Sequence, residues 1–573
     1  MKNTEDTGET QPLVGGDSLG EMTDTEDLEE SSNIRQTTDG GASLIEDPLS
    51  SLDLDKLLVE KLGEFGRYQK MIYFLICLPA ALTAGITLSS VFTEFSPPHR
   101  CLVEGCDDVQ DPRYDDAYYL SFYNFTIPSN NPGCEVFPRL DNTTRSCHAV
   151  DFSPSSESRC RQRLFSEAVM RRTVASEFDL VCDLQWMLPF SQSLFFAGVL
   201  VGAPLYGHLA DVLGRKITFL LGLLETSVCG LVAAFASSFW MFAVVQFFTA
   251  MGQVGMFQTA FVLGIELVGP NKRTLCGILI DFVYVVGELY LALVAWQLRD
   301  WRKIQLACAL PCLLFFSYCF LLPESVRWLL TQKKYQKVQT GLELIAAGNR
   351  VEMPGPEEMA LYKKEEEEEA SRNTENMLDL LRKPRMVGRL LNVFLNWFVI
   401  TMIYYGLSLN AASLAGDIYV NFALLSLCEV PGYAISYLGM RFAGRRTTLA
   451  LSLLVGGFSC LVSSLVTNTN ISTAFFLLGK FGATAGFGTT YLYTGEPFPT
   501  PVRSLCVGVS SMVGRLGAIL SPYIAQLGVL SSYSWLPMAV FAGAGLLSGL
   551  LTLLLPETRG KHLPRTVEEA ENI

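Results

Sequence analysis

The chain has 573 residues, half of them hydrophobic and only 17% charged, against about 25% in an ordinary soluble domain. Its formal charge of −14 sits almost wholly at one end: residues 1–64 hold 17 Asp and Glu against 4 Lys and Arg, a net −13, which leaves −1 for residues 65–573. A body so apolar excludes a soluble protein, and without a concentrated basic face it excludes nucleic acid as a partner; what remains is an integral protein of the lipid bilayer with an acidic N-terminal appendage.

Residues 1–64 are rich in Asp, Glu, Ser, Thr and Gly and poor in aromatics, the composition of a disordered tail. They lack the basic and apolar regions of a cleavable signal peptide, and no motif identifies a partner for them. Twelve apolar runs follow, each near 20 residues, the length that crosses a hydrocarbon core of about 30 Å as a helix. Their limits are 71–93, 186–206, 217–238, 240–264, 275–297 and 304–323, then 388–409, 419–440, 447–467, 473–494, 505–527 and 534–555. The expected domains are therefore the tail 1–64, a first six-helix half 65–323, a linker 324–387, a second half 388–555 and a C-terminal tail 556–573.

With both termini in the cytoplasm, the short inside loops carry Arg215, Lys216, Lys272, Arg273, Arg441, Arg445, Arg446 and Arg503. The short outside loops carry only Arg299, Arg302 and Lys303. The excess of inside basic charge predicts that orientation. It places loop 94–185 outside, where six cysteines, Cys101, Cys106, Cys134, Cys147, Cys160 and Cys182, suit up to three disulfides of unassigned pairing. A zinc site is the rival reading, weakened by the absence of CxxC pairs. Asn124 and Asn142 of the same loop begin glycosylation sequons. A third, at Asn470, abuts a span.

The two halves share a phase. Gly214-Arg215-Lys216 recurs as Gly444-Arg445-Arg446, Glu266 and Arg273 recur as Glu496 and Arg503, and Pro323-Glu324-Ser325 recurs as Pro556-Glu557-Thr558, at offsets of 230, 230 and 233. Three ordered matches indicate duplicated halves, a device of secondary transporters that rock about a central site. Arg and Glu at helix ends are expected to form ion pairs that break as the inside opens; the alternative is plain interfacial anchoring.

At these residues the chain resembles the major facilitator superfamily. Gly207-His208-Leu209-Ala210-Asp211-Val212-Leu213-Gly214-Arg215-Lys216 matches its G-x-x-x-D-x-x-G-R-K loop, and the second copy is degraded, with Arg441 in place of the Asp. Within it, the chain is similar to the organic cation/carnitine transporters, solute carrier family twenty-two, and most of all to invertebrate organic cation transporters. The motifs are Gly63-Glu64-Phe65-Gly66-Arg67-Tyr68-Gln69, Ser176-Glu177-Phe178-Asp179-Leu180-Val181-Cys182, Pro323-Glu324-Ser325-Val326-Arg327-Trp328-Leu329-Leu330 and Glu496-Pro497-Phe498-Pro499-Thr500-Pro501-Val502-Arg503. The resemblance spans about 63–570 and leaves out the acidic tail. It implies an all-α membrane fold of twelve helices in two pseudo-symmetric halves. The gating set it implies is Asp211, Arg215, Lys216, Glu266, Arg273, Glu324, Arg327, Arg445, Glu496, Arg503 and Glu557.

A substrate site is expected mid-membrane between the halves. Aromatic candidates are Tyr284, Trp397, Tyr404, Tyr405, Tyr491 and Tyr493, since aromatic faces hold quaternary ammonium groups; the resemblance favours Tyr284, Trp397 and Tyr404. Charges inside spans are costly and hence informative: Glu225, Asp281, Glu288, Glu429 and Arg515, with Lys480 placed at a span start facing water. Asp281 and Glu288, seven apart, share a helix face as cation counter-charges, proton carriers or members of a structural pair. Arg515 matches a position where, in the family, cation-preferring members have Asp and carnitine-type or anion-transporting members have Arg. It either is a bidentate carboxylate clamp or is neutralised by Asp281 or another helix carboxylate, which leaves the pocket for cations.

The expected function is a plasma-membrane secondary or facilitative transporter of small organic cations or zwitterions, carnitine-like. An organic anion exchanger is the alternative and a non-transporting receptor a third reading. No enzyme is expected, since His99, His148, His208 and His562 all fall outside the predicted spans, and no nucleotide-phosphate loop occurs. No cofactor is expected, and the coupling ion, Na⁺ or H⁺, stays open.

Overall fold

A computed structural model describes residues 52–107, 114, 119–128, 133–140, 147–362, 376–531 and 533–572. Twelve long helices coincide with the twelve apolar runs. They are α1 (Arg67–Leu88), α2 (Met187–Leu213), α3 (Arg215–Ala234), α4 (Phe239–Glu266), α5 (Arg273–Leu298) and α6 (Trp301–Leu314), then α7 (Pro384–Leu409), α8 (Ile418–Phe442), α9 (Arg445–Leu465), α10 (Thr469–Gly495), α11 (Thr500–Leu530) and α12 (Leu536–Thr552). Ten of these segments are long and apolar enough to cross a membrane. The other two are α10, rich in Thr and Gly with Lys480 inside it, and α12, whose 17 residues reach the lower limit of a span. α2 outruns its predicted end at 206, so His208 and Asp211 lie on its last turns.

Each half is built alike. α3 packs on α4, α2 on α4 and α1 on α5; in the second half α9 packs on α10, α9 on α12 and α7 on α11. Close packing follows from small residues, as expected where lipid removes the hydrophobic drive between helices. A Cβ at Gly287 would run into the Ala81 carbonyl, and one at Gly517, 230 residues on, into the Phe398 carbonyl. The halves meet through α2 with α11 and α5 with α8.

The loop after α1 forms a small domain. Strand β1 (His99–Cys101) pairs antiparallel with β4 (Arg163–Phe165), and β2 (Glu135–Val136) with β3 (Ser158–Arg159). Disulfides join Cys101 to Cys160, Cys106 to Cys147 and Cys134 to Cys182. All six sulfurs are thereby used, which leaves no thiolates for the zinc reading. A bidentate Arg100–Asp107 pair is buried beside them, with Nη2 to Oδ1 at 2.8 Å. Asn124 is exposed on the helix Tyr119–Thr126; Asn142 lies outside the described residues.

The tail boundary at 64 is corrected. Residues Leu54–Leu57 and Leu58–Leu62 are helical, capped by the Asp53 carboxylate. Leu52, Leu54, Leu57, Leu58 and Leu62 are buried with Trp328, Leu329, Val338, Leu342 and Ile345 of the linker. The linker carries the helices Val326–Thr331 and Tyr335–Asn349, and α7 starts at Pro384 rather than 388. The disorder expected of this segment does not hold for residues 52–62, because a leucine face outweighs the local charge, and residues 1–51 lie outside the described ones.

Cys134–Cys182 closes a separation of 48 residues, which constrains the unfolded chain by about 4 kcal/mol in the loop-entropy view. Replacing both cysteines by serine is expected to lower the thermal midpoint and raise protease sensitivity of the loop domain. Unchanged melting of that variant would show that the bridge contributes nothing.

Candidate functional site

The repeated motifs build one device twice. α2 turns into α3 at Gly214 (φ 104°), and α8 into α9 at Gly444 (φ 97°). Neither helix start has a local side-chain cap. The cap comes from afar: Glu324 Oε1 accepts from the backbone N–H groups of Arg215 (2.9 Å), Lys216 (3.1 Å) and Ser325 (3.0 Å). Glu557 Oε1 accepts from those of Arg445 (2.9 Å), Thr558 (3.1 Å) and Arg559 (3.2 Å). A carboxylate at a helix N-terminus satisfies free donors and the dipole together. A Cβ at Gly214 would stand 2.5 Å from Glu324 Oε2 and one at Gly444 2.6 Å from Glu557 Oε2, so glycine serves here for space as well as for its positive φ.

Arg215 pairs with Glu266 (3.1 Å) and Arg445 with Glu496 (3.2 Å). Ser325 donates to Glu266 and Thr558 to Glu496. Asp211 adds an exposed pair to Arg215 at 3.2 Å, a weak kind of contact. These contacts join each half to itself or to the segment that follows it, and none of them crosses the interface between the halves.

The third basic residue of the motif departs from the repeat. Among the described residues Arg503 hydrogen-bonds only to the Phe498 carbonyl and Thr500, each at 3.4 Å. Arg273 instead meets Asp55 (2.6 Å), which also takes Arg327. Asp55 belongs to the segment assigned to the tail. Partial burial works against its charge, but Arg327 and Arg273 outweigh that and hold its carboxyl below the usual range. Asn349 adds a second tie: its side chain donates to the Leu62 carbonyl (2.7 Å) and to Gln69 (2.8 Å) and accepts from Tyr68 N–H (3.0 Å).

At the other end, which carries the disulfide domain, the halves touch. Ser193 Oγ donates to the Ile519 carbonyl (2.6 Å) and Tyr419 OH to that of Val169 (2.7 Å). The Phe92 ring stacks on Tyr419 (5.5 Å) and meets Phe422 edge-on (5.1 Å).

The central charges sort as follows. Lys480 does not face water. It is 1% exposed and pairs with fully buried Glu429 at 2.6 Å. It also donates to Ser408 Oγ (2.7 Å) and lies 3.4 Å from the Tyr404 ring centroid. Tyr404 OH donates to Glu429 Oε2 at 3.0 Å. Glu288, buried on α5, faces Ser426 and Glu429 across the half interface. Asp281 and Tyr284 are half-buried on the same helix, and among the described residues Asp281 makes no ion pair. Arg515 is not its partner: the guanidinium is half-buried, donates to Ser511 Oγ (2.6 Å), and its Nε has no hydrogen-bond partner. Glu225, by contrast, accepts from Tyr206 OH beside α2, away from this cluster.

The aromatic wall is layered. Trp397 and Tyr404 are nearly fully buried, with Trp397 Nε1 donating to Thr494 (2.8 Å). Tyr491 packs 4.5 Å from Trp397, and Phe487 stacks 5.2 Å from Tyr404. Phe487 is half-buried and Tyr491 exposed, so they form the outer layer of the stack over Tyr404 and Trp397. Tyr405 bridges to Phe196 of the first half at 4.7 Å. Tyr493 is buried and donates to the Pro556 carbonyl (2.6 Å), remote from the cluster. Sequence reasoning missed Asp55, Ser408, Phe487 and the role of Lys480. For Lys480 the signal was present, because a lysine twelve residues into a 27-residue helix cannot snorkel cheaply.

Residues 135–569 match the family described as sugar (and other) transporter. The organic cation transporter protein of Drosophila melanogaster is 34% identical, over 90% of this chain and 94% of its own length. The organic cation/carnitine transporter 2 of Homo sapiens is 34% identical over 89% and 92%, and a beta-alanine transporter of Drosophila melanogaster is 32% identical over 91% and 90%. Among solved structures, the xylose transporter XylE from E. coli in an inward open conformation superposes with a TM-score of 0.54 at 14% identity, over 87% of this chain and 99% of that one. That likeness shows the fold of twelve helices in two halves.

The Asp55 contact has a defined pH dependence. A depressed carboxyl stabilises docking above its unfolded pKa of about 4 and loses that contribution as pH falls through the folded value. Asp55→Asn is expected to speed backbone hydrogen exchange in residues 54–62 at neutral pH, and wild type is expected to show the same loss only in acid. Equal exchange in the two proteins at neutral pH would remove Asp55 from the lock.

Proposed function

Because the chain belongs to the sugar (and other) transporter family, within its organic cation/carnitine branch, we propose that it carries small organic cations or zwitterions across a membrane by alternating access. Its multi-pass body is one of a transporter and not of an enzyme. The proposed seat is the plasma membrane with both termini cytoplasmic, which puts the disulfide domain outside and the Gly-Arg-Lys turns inside.

The observation that supports the substrate reading is that two unlike groups, Arg515 and Glu429, both lie near Tyr405. Glu429 with Tyr404 is an acid and an aromatic face that already hold an ammonium, that of Lys480. Arg515 is a guanidinium without an acidic partner among the described residues. A zwitterion fits both: its carboxylate on Arg515 as a bidentate clamp, its ammonium near Phe487, Tyr404 and Glu429, where it competes with Lys480. Asp281 and Tyr284 lie on α5, the helix whose Glu288 faces Glu429. The names of the relatives, organic cation, carnitine and beta-alanine transporters, support that substrate class. The intra-half fasteners Arg215–Glu266 and Arg445–Glu496, with the carboxylate caps Glu324 and Glu557, keep each half rigid while the halves rock.

Uptake into vesicles of a quaternary amine, a zwitterion and a dicarboxylate tests this. Arg515→Ala is expected to reduce uptake of the carboxylate-bearing zwitterion by about 10-fold or more, in line with loss of a charged hydrogen bond of 1.5–3 kcal/mol, and to spare the amine. Unchanged zwitterion uptake would sink the clamp. Dicarboxylate uptake outrunning both would support the anion exchanger instead.

A further inference from the structure

A second polar centre lies apart from the substrate cluster, at the disulfide-domain end of the first half. α1 continues as a short turn, Ser90–Thr93, and ends at Glu94. The Glu94 side chain points into a small cavity lined also by Thr87, Ser89, Gln192, Phe196 and Gln246. Glu94 is 5% exposed, Gln246 4% and Ser191 1%. Ser191 lies beside the Glu94 carboxyl. Gln246 Oε1 has no hydrogen-bond partner among the described residues, and Glu94 Oε2 has none there beyond the adjacent Ser191 hydroxyl. Of these, Glu94 and Gln246 line the cavity itself, so the oxygens that face it include a carboxylate, and no basic side chain lines it.

We propose that this cavity is a binding site for one sodium ion, held by the Glu94 carboxylate, the Gln246 side-chain oxygen and Ser191 Oγ, with Gln192 within the same shell. Hard cations take oxygen ligands. The single carboxylate balances one positive charge, and a divalent ion would leave an uncompensated buried charge. The space is small and holds one small occupant. Its ligands come from α1, α2 and α4, so occupancy ties three helices at the end where the halves touch. Phe92, two residues before Glu94, stacks on Tyr419 of the second half, and Phe196, in the cavity wall, packs on Tyr405. The ion thereby stabilises the closed arrangement at that end.

Melting of the purified full-length protein tests this without reference to transport. At fixed pH and ionic strength, NaCl is expected to raise the thermal midpoint in a saturable way, and choline chloride or KCl is not. Glu94→Gln removes the charge and is expected to abolish the sodium response. Gln246→Leu keeps the carboxylate and is expected to raise the sodium midpoint by about 10-fold or more, which keeps the test decisive should the first variant fail to fold. Equal melting in sodium and choline overturns the site, as does an equal rise in potassium or a sodium response retained in Glu94→Gln. A midpoint that follows pH and ignores sodium assigns the cavity to a proton and also overturns the proposal.

Discussion

The interaction on which the centre of the molecule depends is the ion pair between Lys480 and Glu429. Both side chains are essentially out of reach of solvent, where an unpaired charge is prohibitive and removal of one partner of a pair costs about 3–5 kcal/mol. The neighbours are arranged to meet that demand. Ser408 takes a second Lys480 proton, Tyr404 gives its hydroxyl to Glu429 and its ring face to the ammonium, and Phe487 seals the stack. α7, α8 and α10 are thus held together by one polar knot. Arg515 on α11, close by, lacks such a partner among the described residues. The contrast between an ion-paired cation and one held only by a serine hydroxyl gives the centre its character.

Away from the centre the same rule is applied at the helix ends. Glu324 and Glu557 each cap a helix start that has no cap of its own, and Arg215 and Arg445 each clip the neighbouring hairpin. These contacts stay inside a half, so they can persist while the halves move. The contacts between halves are of another kind: aromatic stacking at Phe92 and Tyr419 and single hydrogen bonds such as Ser193 to Ile519. Rigid halves with a lighter seam suit rocking motion. The first half carries one addition without counterpart, Asp55 bound to both Arg273 and Arg327, which ties the residues before α1 to the linker.

Much of the fold was legible because membrane spans declare themselves by length and apolarity, and all twelve runs became helices. The repeat was legible because glycine and charge punctuate the same turns twice. What each charge touches was not. Glu266 and Arg273 read as one motif, yet Glu266 meets Arg215 while Arg273 meets Asp55, a partner 218 residues away in sequence. Leu52, Leu54, Leu57, Leu58 and Leu62 carried a helical spacing, but the surrounding acidic composition masked it. Lys480 was misplaced because its span was drawn from hydropathy, and a buried pair lowers hydropathy where packing is tightest. Trp397 and Tyr404 were picked for their chemistry; their depth behind Tyr491 and Phe487 follows from helix rotation, which no single sequence states.

The central claim is that Lys480 occupies the cation subsite. Replacing it tests that most directly. In Lys480→Gln the Glu429 carboxylate loses its built-in partner, and a quaternary amine can supply the missing charge. The thermal midpoint of the variant should therefore start lower than that of wild type and rise more with added amine. An amine that stabilises the variant no more than it stabilises wild type would contradict the claim and leave Lys480–Glu429 a structural pair alone.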